Sequence, residues 1–437
     1  MNDLPGRRLD RIPEWLRSGS GIAVLFMLVA FAALRIVAVA GLDPVSYPDT
    51  RTYFWLDFAG GAARLWTVPL LFRVLPGDGW RVAAELVIGI LCWGALAVAT
   101  ARACLRPVVG ACGAAAVLLL ALTVQVTQWD LILLSESLAL SLTALGTALA
   151  LFAAEKRPSP ALVAALLGVV LLWTFTRHIN ALALGVTFPL VAAALLWRLP
   201  RSQALLLVAV LGVVAAWGLL AIRRSAPWVG NSKQLLVERL LQDPGATRYF
   251  ADRGLPITPE LRREVRLRSR LGDFPHLRKS VVDDPRFVRW IDEEWRPAYA
   301  SYLLKNAPQT VTEPLAKAPR ELTTNPAYSK PRAVLPGAVQ DPLWNRNRHP
   351  LGLLVFAGAA AALWLVSLSR GPPRAAELVP WALIGLGIVL AQLAWTFSAT
   401  EAPRLFLPAG ADVNIGLMLL VVFAADRLLI GGRRAHG

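Results

Sequence analysis

The chain has 437 residues, 56% of them hydrophobic, and a mean hydropathy of +0.52. That composition excludes an ordinary soluble domain and points to a polytopic membrane protein. The net charge of +16 does not indicate nucleic acid, because much of the excess sits in short arginine clusters between apolar runs.

In chain order, the apolar runs predict membrane-spanning helices at 20–41, 80–101, 108–126, 131–154, 160–175, 179–197, 203–222, 351–369, 377–397 and 406–429. The fifth and sixth share a tight turn at Arg177 and His178. No cleavable signal is read at the N-terminus, since the run after Arg17 is long and lacks a small-x-small cleavage site. Alternate connections carry Arg102 and Arg106, Lys156 and Arg157, Arg198 and Arg201, and Arg370 and Arg374. With Arg7, Arg8, Arg11 and Arg17 before the first span and Arg427, Arg433 and Arg434 after the last, all fall on one side if there are ten spans. The positive-inside rule makes that side cytoplasmic, and an odd count would break the alternation. The expected fold is an all-α transmembrane bundle. It comprises an N-terminal module over 1–222, a small helical extracytoplasmic domain over 223–350, and a C-terminal module over 351–437.

Two polar regions face outward in this scheme. Residues 42–79 include an apolar stretch, Leu65 to Leu75, too short to span and broken by Pro69, which reads as an interfacial or re-entrant helix. Residues 223–350 hold Trp228, Trp290, Trp295, Trp344, Tyr249, Tyr299, Tyr302 and Tyr328, enough aromatic surface to build a core. Within them, 259–272 has helical spacing with leucine and valine on one face and arginine on the other. It suits a solvated amphipathic helix or one that docks on anionic head groups. The cysteines Cys92, Cys104 and Cys112 match no disulfide framework or zinc site. No internal repeat or nucleotide-binding loop is present.

The charges that stand out are Asp43, Asp49, Asp130, Glu136, Arg177, His178, Glu401 and Arg404, all at the outward ends of spans. Charge near hydrocarbon is costly, so an active site is expected there. The first outer loop reads Asp43-Pro44-Val45-Ser46-Tyr47-Pro48-Asp49-Thr50-Arg51-Thr52-Tyr53. Its carboxylates suit a general base acting on a hydroxyl, or an ordinary loop with an Asx turn before proline. Leu134-Ser135-Glu136-Ser137-Leu138 opens the fourth span, and Glu401-Ala402-Pro403-Arg404-Leu405-Phe406-Leu407-Pro408 precedes the last. Tyr302-Leu303-Leu304-Lys305-Asn306-Ala307-Pro308 ends a helix in the long polar segment.

In their order and shared sidedness these motifs resemble the GT-C superfamily of polytopic glycosyltransferases. Its members include protein mannosyltransferases, aminoarabinose transferases and arabinosyltransferases. The stretch Tyr47–Tyr53, followed by Ala59, looks like the first-loop signature, with Asp49 at the acidic position and Asp43 second. Thr50 departs from relatives that carry two adjacent acids. The resemblance covers the first seven spans well and the rest by topology only.

The resemblance implies a hexosyl- or pentosyltransferase of a bacterial inner membrane. It would move sugar from a polyprenyl-phosphate donor to an extracytoplasmic glycan, lipid or protein acceptor, with inversion. Asp49 or Asp43 would be the base, and Arg404, Arg177 and His178 would hold the donor phosphate. Guanidinium forks match phosphate geometry, but the same arginines also suit interfacial snorkelling. Glu136, Glu401 and Tyr53 are candidates for substrate or metal binding. Glu136 has three readings: a ligand for metal or donor phosphate, a group orienting the acceptor, or an ion-pair partner of Arg177. Mg or Mn is compatible with these oxygen ligands, and the sequence requires neither. Arg35 would snorkel towards Asp43 or line a donor groove, while Asp412, Asn414 and Gln392 suit interhelical hydrogen bonds. Two rivals stand beside this reading: a transporter or lipid flippase, whose key charges would lie mid-span, and a non-catalytic membrane assembly protein.

Overall fold

The computed structural model describes residues 19–431, apart from 60–61, 156–157, 199, 225–226, 272–280, 282, 324–327, 345–349 and 398–401. Glu401, Lys156, Arg157, the side chain of Trp228, and Arg7, Arg8, Arg11, Arg17, Arg433 and Arg434 lie outside the described residues. The fold is an all-α, multi-pass membrane bundle. Its first part comprises α1 (Gly19–Val39), the short α2 (Thr67–Val74), α3 (Asp78–Ala103), α4 (Pro107–Ala121), α5 (Glu136–Glu155), α6 (Pro160–Thr174), α7 (His178–Arg198) and α8 (Arg201–Arg224). Next come α9 (Pro227–Glu238), α10 (Pro244–Ala251), α11 (Pro259–Leu271), α12 (Pro285–Glu293), α13 (Trp295–Lys305), α14 (Ala307–Thr323) and α15 (Gly337–Trp344). The chain returns through α16 (Pro350–Ser367), α17 (Val379–Phe397) and α18 (Ala402–Gly431). Apolar runs in hydrocarbon must satisfy their own backbone groups, which leaves the helix as their structure.

Eight of these helices are long and apolar enough to cross a membrane. A ninth arises if α4 and its continuation Val124–Leu131, bent by 52°, form one span. The count therefore differs from the ten read in the sequence. The difference is α6, which has 15 residues and is about 22 Å long, short of a full crossing. Its flanks nevertheless reach both ends of the bundle. Glu155, just before it, pairs with Arg102. Phe175, just after it, accepts a hydrogen bond from the Thr67 amide at 3.3 Å.

The two ends are distinct. Along α18, residues 404 and 426 are separated by about 33 Å of helix, roughly the hydrocarbon thickness. At the Arg374 end, Asp426 accepts from the Leu105 and Arg106 amides, each at 2.9 Å, and from Arg374 at 3.1 Å. Glu377 there bonds Arg374 at 2.5 Å and Arg427 at 2.7 Å. Between the ends, α17 and α18 pack closely. A Cβ on Gly416 would lie 2.6 Å from Ile384 Cγ1, and one on Gly387 would lie 2.9 Å from the Ala409 carbonyl. Lipid gives helices no hydrophobic drive to associate, so such close approach carries the packing.

Helices α9 to α13 build a second core at the opposite end, around Phe250, Phe287, Trp290, Trp295 and Tyr299. Trp295 and Tyr299 stack at 4.7 Å. This core is tied to the end of α17 by Tyr299, whose hydroxyl donates to the Thr396 carbonyl at 2.5 Å, and by Arg239, whose guanidinium lies 4.0 Å above the Trp395 ring. Leu261 of α11 packs into the core while Arg262, Arg263 and Arg266 stay exposed, as the amphipathic spacing requires. Trp344 and Tyr328 instead join the bundle core. The segment carrying them folds back, with the Arg332 amide donating to the Ala38 carbonyl at 2.9 Å and Ser329 Oγ to the Gln128 carbonyl at 2.6 Å.

A single crossing, α16, separates exposed Arg248 from exposed Arg370. In a chain with its native cysteines replaced, Arg248→Cys and Arg370→Cys should react with an impermeant thiol reagent from opposite sides of the membrane. Labelling of both from one side would contradict this arrangement.

Candidate functional site

The end of the bundle opposite Arg374 gathers charges from four separate stretches. The loop after α1 is fixed first. Val45 makes a parallel bridge with Ile132, its amide donating to the Leu131 carbonyl at 2.8 Å while the Leu133 amide donates back at 3.0 Å. A 3-10 turn, Pro48–Phe54, follows, with proline at its start and Asp49 in its first turn. An acid is favourable there because it faces unpaired backbone N–H groups. Thr50, the residue that departs from the superfamily pattern, is structural. Its hydroxyl accepts from the Tyr47 amide at 2.9 Å and donates to the Leu133 carbonyl at 3.1 Å. The loop is thereby docked against the start of α5, where Glu136 sits fully buried in the first turn.

Arg404 enters at the start of α18, where the helix dipole disfavours a cation, so it needs anions close by. It finds two. Arg404 Nε donates to Glu136 Oε1 at 2.5 Å, and Arg404 Nη1 lies 3.3 Å from Asp49 Oδ2. Arg177, buried in the turn between α6 and α7, places Nη2 3.3 Å from the same Glu136 oxygen. Arg64, just before α2, places Nη2 2.7 Å from Asp49 Oδ2. Arg64 Nε donates to Thr52 Oγ1 at 2.8 Å, and its guanidinium lies 5.0 Å above the Tyr53 ring. Burial works against the charge of Arg64, but neighbouring Tyr53, Asp49 and Glu136 outweigh it against Arg404, holding its pKa above the ordinary arginine value. Three guanidiniums thus face two carboxylates, an excess of one positive charge.

Three buried polar atoms of the cluster lack a partner among the described residues: Glu136 Oε2, Arg177 Nη1 and His178 Nε2. Buried donors and acceptors are normally satisfied, so unpaired ones beside a half-exposed carboxylate mark a place where a polar ligand fits. An anion would suit the arginine excess, and a hydroxyl would suit the carboxylates.

The expected residues divide clearly. Asp49, Glu136, Arg177 and Arg404 come together, and Arg177 pairs with Glu136 as one of the three readings held. His178 makes no bond to Glu136 among the described residues. Tyr53 is buried and donates to Ser135 Oγ at 3.1 Å. Asp43 is exposed and makes no ion pair among the described residues. Arg35 pairs with Asp130, not with Asp43. It is buried in a fork on Asp130, at 2.9 and 3.0 Å, and Ser137 Oγ also donates to Asp130 at 2.9 Å. Gly89 makes room for this guanidinium, since a Cβ there would lie 2.7 Å from Arg35 Nη2. Gln392 does bridge helices, to the Thr310 carbonyl at 2.6 Å; Asn414 donates to the Gly410 carbonyl of its own helix at 2.8 Å, and Asp412 has no hydrogen-bond partner among the described residues. Among the described residues, no group of three or more His, Cys, Asp or Glu side chains is arranged to hold a metal. The sequence reading did not include Arg64, nor Glu85, whose two carboxylate oxygens are buried on α3 without hydrogen-bond partners among the described residues.

Replacing one member of a buried ion pair leaves the other charge uncompensated, at about 3–5 kcal/mol. Glu136→Ala should therefore destabilise the folded protein by about that amount, because it strands Arg177 and takes from Arg404 its shorter ion pair. Glu136→Gln, which keeps an acceptor oxygen, should cost less; chemical unfolding in detergent measures both. No protein-family model matches the chain, and no curated protein matches it, so its chemistry is argued from this cluster.

Proposed function

We propose that this protein is a GT-C-type glycosyltransferase that moves a sugar from a polyprenyl-phosphate donor to an acceptor hydroxyl. The observation that carries the reading is the cluster of Arg64, Arg177 and Arg404 around Asp49 and Glu136 at a membrane boundary, with unpaired polar atoms left over. A donor that is half hydrocarbon and half phosphate must straddle such a boundary. The arginine excess matches a phosphodiester, which carries one negative charge.

In the reaction, the acceptor oxygen bonds to the anomeric carbon as the bond from that carbon to the phosphate oxygen breaks. Asp49 takes the acceptor proton, and the arginines stabilise the negative charge that builds on the departing phosphate. Glu136, held by two guanidiniums, keeps Arg404 and Arg177 aimed. The short connections at the other end carry Arg102, Arg106, Arg370 and Arg374, which by the positive-inside rule supports an extracytoplasmic position for the cluster, and the resemblance implies a bacterial inner membrane. The acceptor would be a cell-surface glycan, lipid or protein.

One observation favours a second reading. Asp412 and Glu85 are buried within spans without described partners, as in carriers that bind an ion or proton mid-membrane. Transfer assays separate the two. Asp49→Asn, folded and purified, should lose about 10²–10⁴ in transfer rate from a polyprenyl-phosphate sugar. Asp43→Asn, outside the cluster, should lose much less. Wild-type turnover by Asp49→Asn removes Asp49 as base, and absence of transfer by the native protein from any polyprenyl-phosphate sugar favours the carrier.

A further inference from the structure

The two guanidiniums that meet Asp49 are each anchored elsewhere. Arg64 is held by Thr52 Oγ1 at 2.8 Å and by the Tyr53 ring at 5.0 Å. Arg404 is held by Glu136 at 2.5 Å. Each spends only an Nη nitrogen on Asp49, at 2.7 and 3.3 Å, and both meet the same oxygen, Oδ2. Were Asp49 to swing away, both cations would stay in place, aimed at one vacated point.

Asp49 is the member able to move. Its side chain is 40% exposed, against 0% for Glu136. Among the described residues its carboxylate meets nothing but these two arginines. Glu136 cannot leave in the same way, because it is fully buried and its departure would strand its own charge and take from Arg177 the carboxylate it pairs with.

We infer that Asp49 is an exchangeable counter-ion: a phosphate group enters between Arg64 and Arg404, takes their Nη donors from Oδ2, and frees the Asp49 carboxylate. This inference rests on the donor reading above and deepens it. It adds Arg64 to the phosphate-binding residues, and it makes the availability of the base depend on the donor. One anion replaces another, so no buried charge is stranded and the exchange is mild in energy. While the donor is absent, Oδ2 is engaged by two cations and is a poor acceptor for a hydroxyl proton. When the phosphate binds, Asp49 is released beside the acceptor. Coupling of this kind is reciprocal: what phosphate does to Asp49, Asp49 does to phosphate affinity.

That reciprocity gives the test its sign. Binding of a polyprenyl monophosphate to detergent-solubilised full-length protein is measured by titration, with the uncharged polyprenol as control. Asp49→Asn should bind the phosphate about 3- to 10-fold more tightly than the native protein, because a competing charge at short range is gone. Arg64→Gln should bind about tenfold more weakly. Asp78→Asn, which removes an exposed carboxylate paired only with Arg81 at the start of α3, should bind like the native protein. Asp49→Ser serves if the amide variant does not fold. Equal or weaker binding by Asp49→Asn overturns the exchange while native binding upholds the donor reading. Equal tightening in Asp78→Asn overturns it as well, by assigning the effect to net charge. Failure of the native protein to bind the phosphate above the polyprenol control overturns both.

Discussion

The buried contact between Arg404 and Glu136 is the constraint on which the site depends. The partners are 268 residues apart in sequence, and each opens a membrane helix. Neither charge is tolerable alone at that depth, so the start of α18 and the start of α5 must meet. Once they do, the rest of the cluster is constrained. Arg177 reaches the same Glu136 oxygen from the turn before α7, and Asp49 reaches Arg404 from a loop bridged to the residues just before α5.

The two ends of the bundle use the same residue types differently. At the Arg374 end, Asp426 and Glu377 are fully buried, and every described contact closes on another part of the protein, including the amides that open α4. That network is complete in itself and works as a clamp. At the Asp49 end the network is incomplete, with Oε2 of Glu136 and Nη1 of Arg177 unpaired and Asp49 half in solvent. Arg35 Nη1, beside Asp130, is also unpaired among the described residues, so what distinguishes the Asp49 end is that its unpaired atoms lie beside a half-exposed carboxylate. The contrast within one molecule supports assigning chemistry to one end and architecture to the other.

The helical bundle was legible because apolar runs of membrane length admit few other structures; of the aromatics in 223–350 that suggested a separate core, Tyr249, Trp290, Trp295, Tyr299 and Tyr302 join a second core, while Tyr328 and Trp344 join the bundle. The length of α6 was less clear, since the apolar run ends at Phe175, next to the tight turn that leads into α7. Asp49, Glu136, Arg177 and Arg404 were visible as charges at span ends. Arg64 was not, because nothing in its local pattern separates it from an ordinary loop arginine. Only the docking of α2, through Thr67 on Phe175 and Leu172, brings it to Asp49. The available signal was its place just before an apolar stretch too short to cross. Asp43 lies outside the cluster although its sequence setting is similar. It shares a loop and a residue type with Asp49, but the bridge at Val45 turns the chain between them. Pairing of Arg35 with Asp130 needed the bend after α4, which the hydropathy of 108–126 conceals.

On the proposed reading, the charge balance of the cluster also bears on how a turnover ends. The donor phosphodiester carries one negative charge and neutralises the excess of the three arginines over Asp49 and Glu136. Transfer leaves a phosphate monoester, which near neutral pH carries between one and two charges and grips guanidiniums more strongly. An active site built only of arginines would then be held by its product. Here the displaced carboxylate remains tethered a few residues away on the Pro48–Phe54 turn, at a high effective concentration. Once the acceptor proton has passed on to solvent, Asp49 is again an anion that competes for Arg64 and Arg404. The same competition that keeps the base engaged before the donor arrives would thus help to expel the spent lipid phosphate. One exposed carboxylate between two anchored cations serves both ends of the cycle.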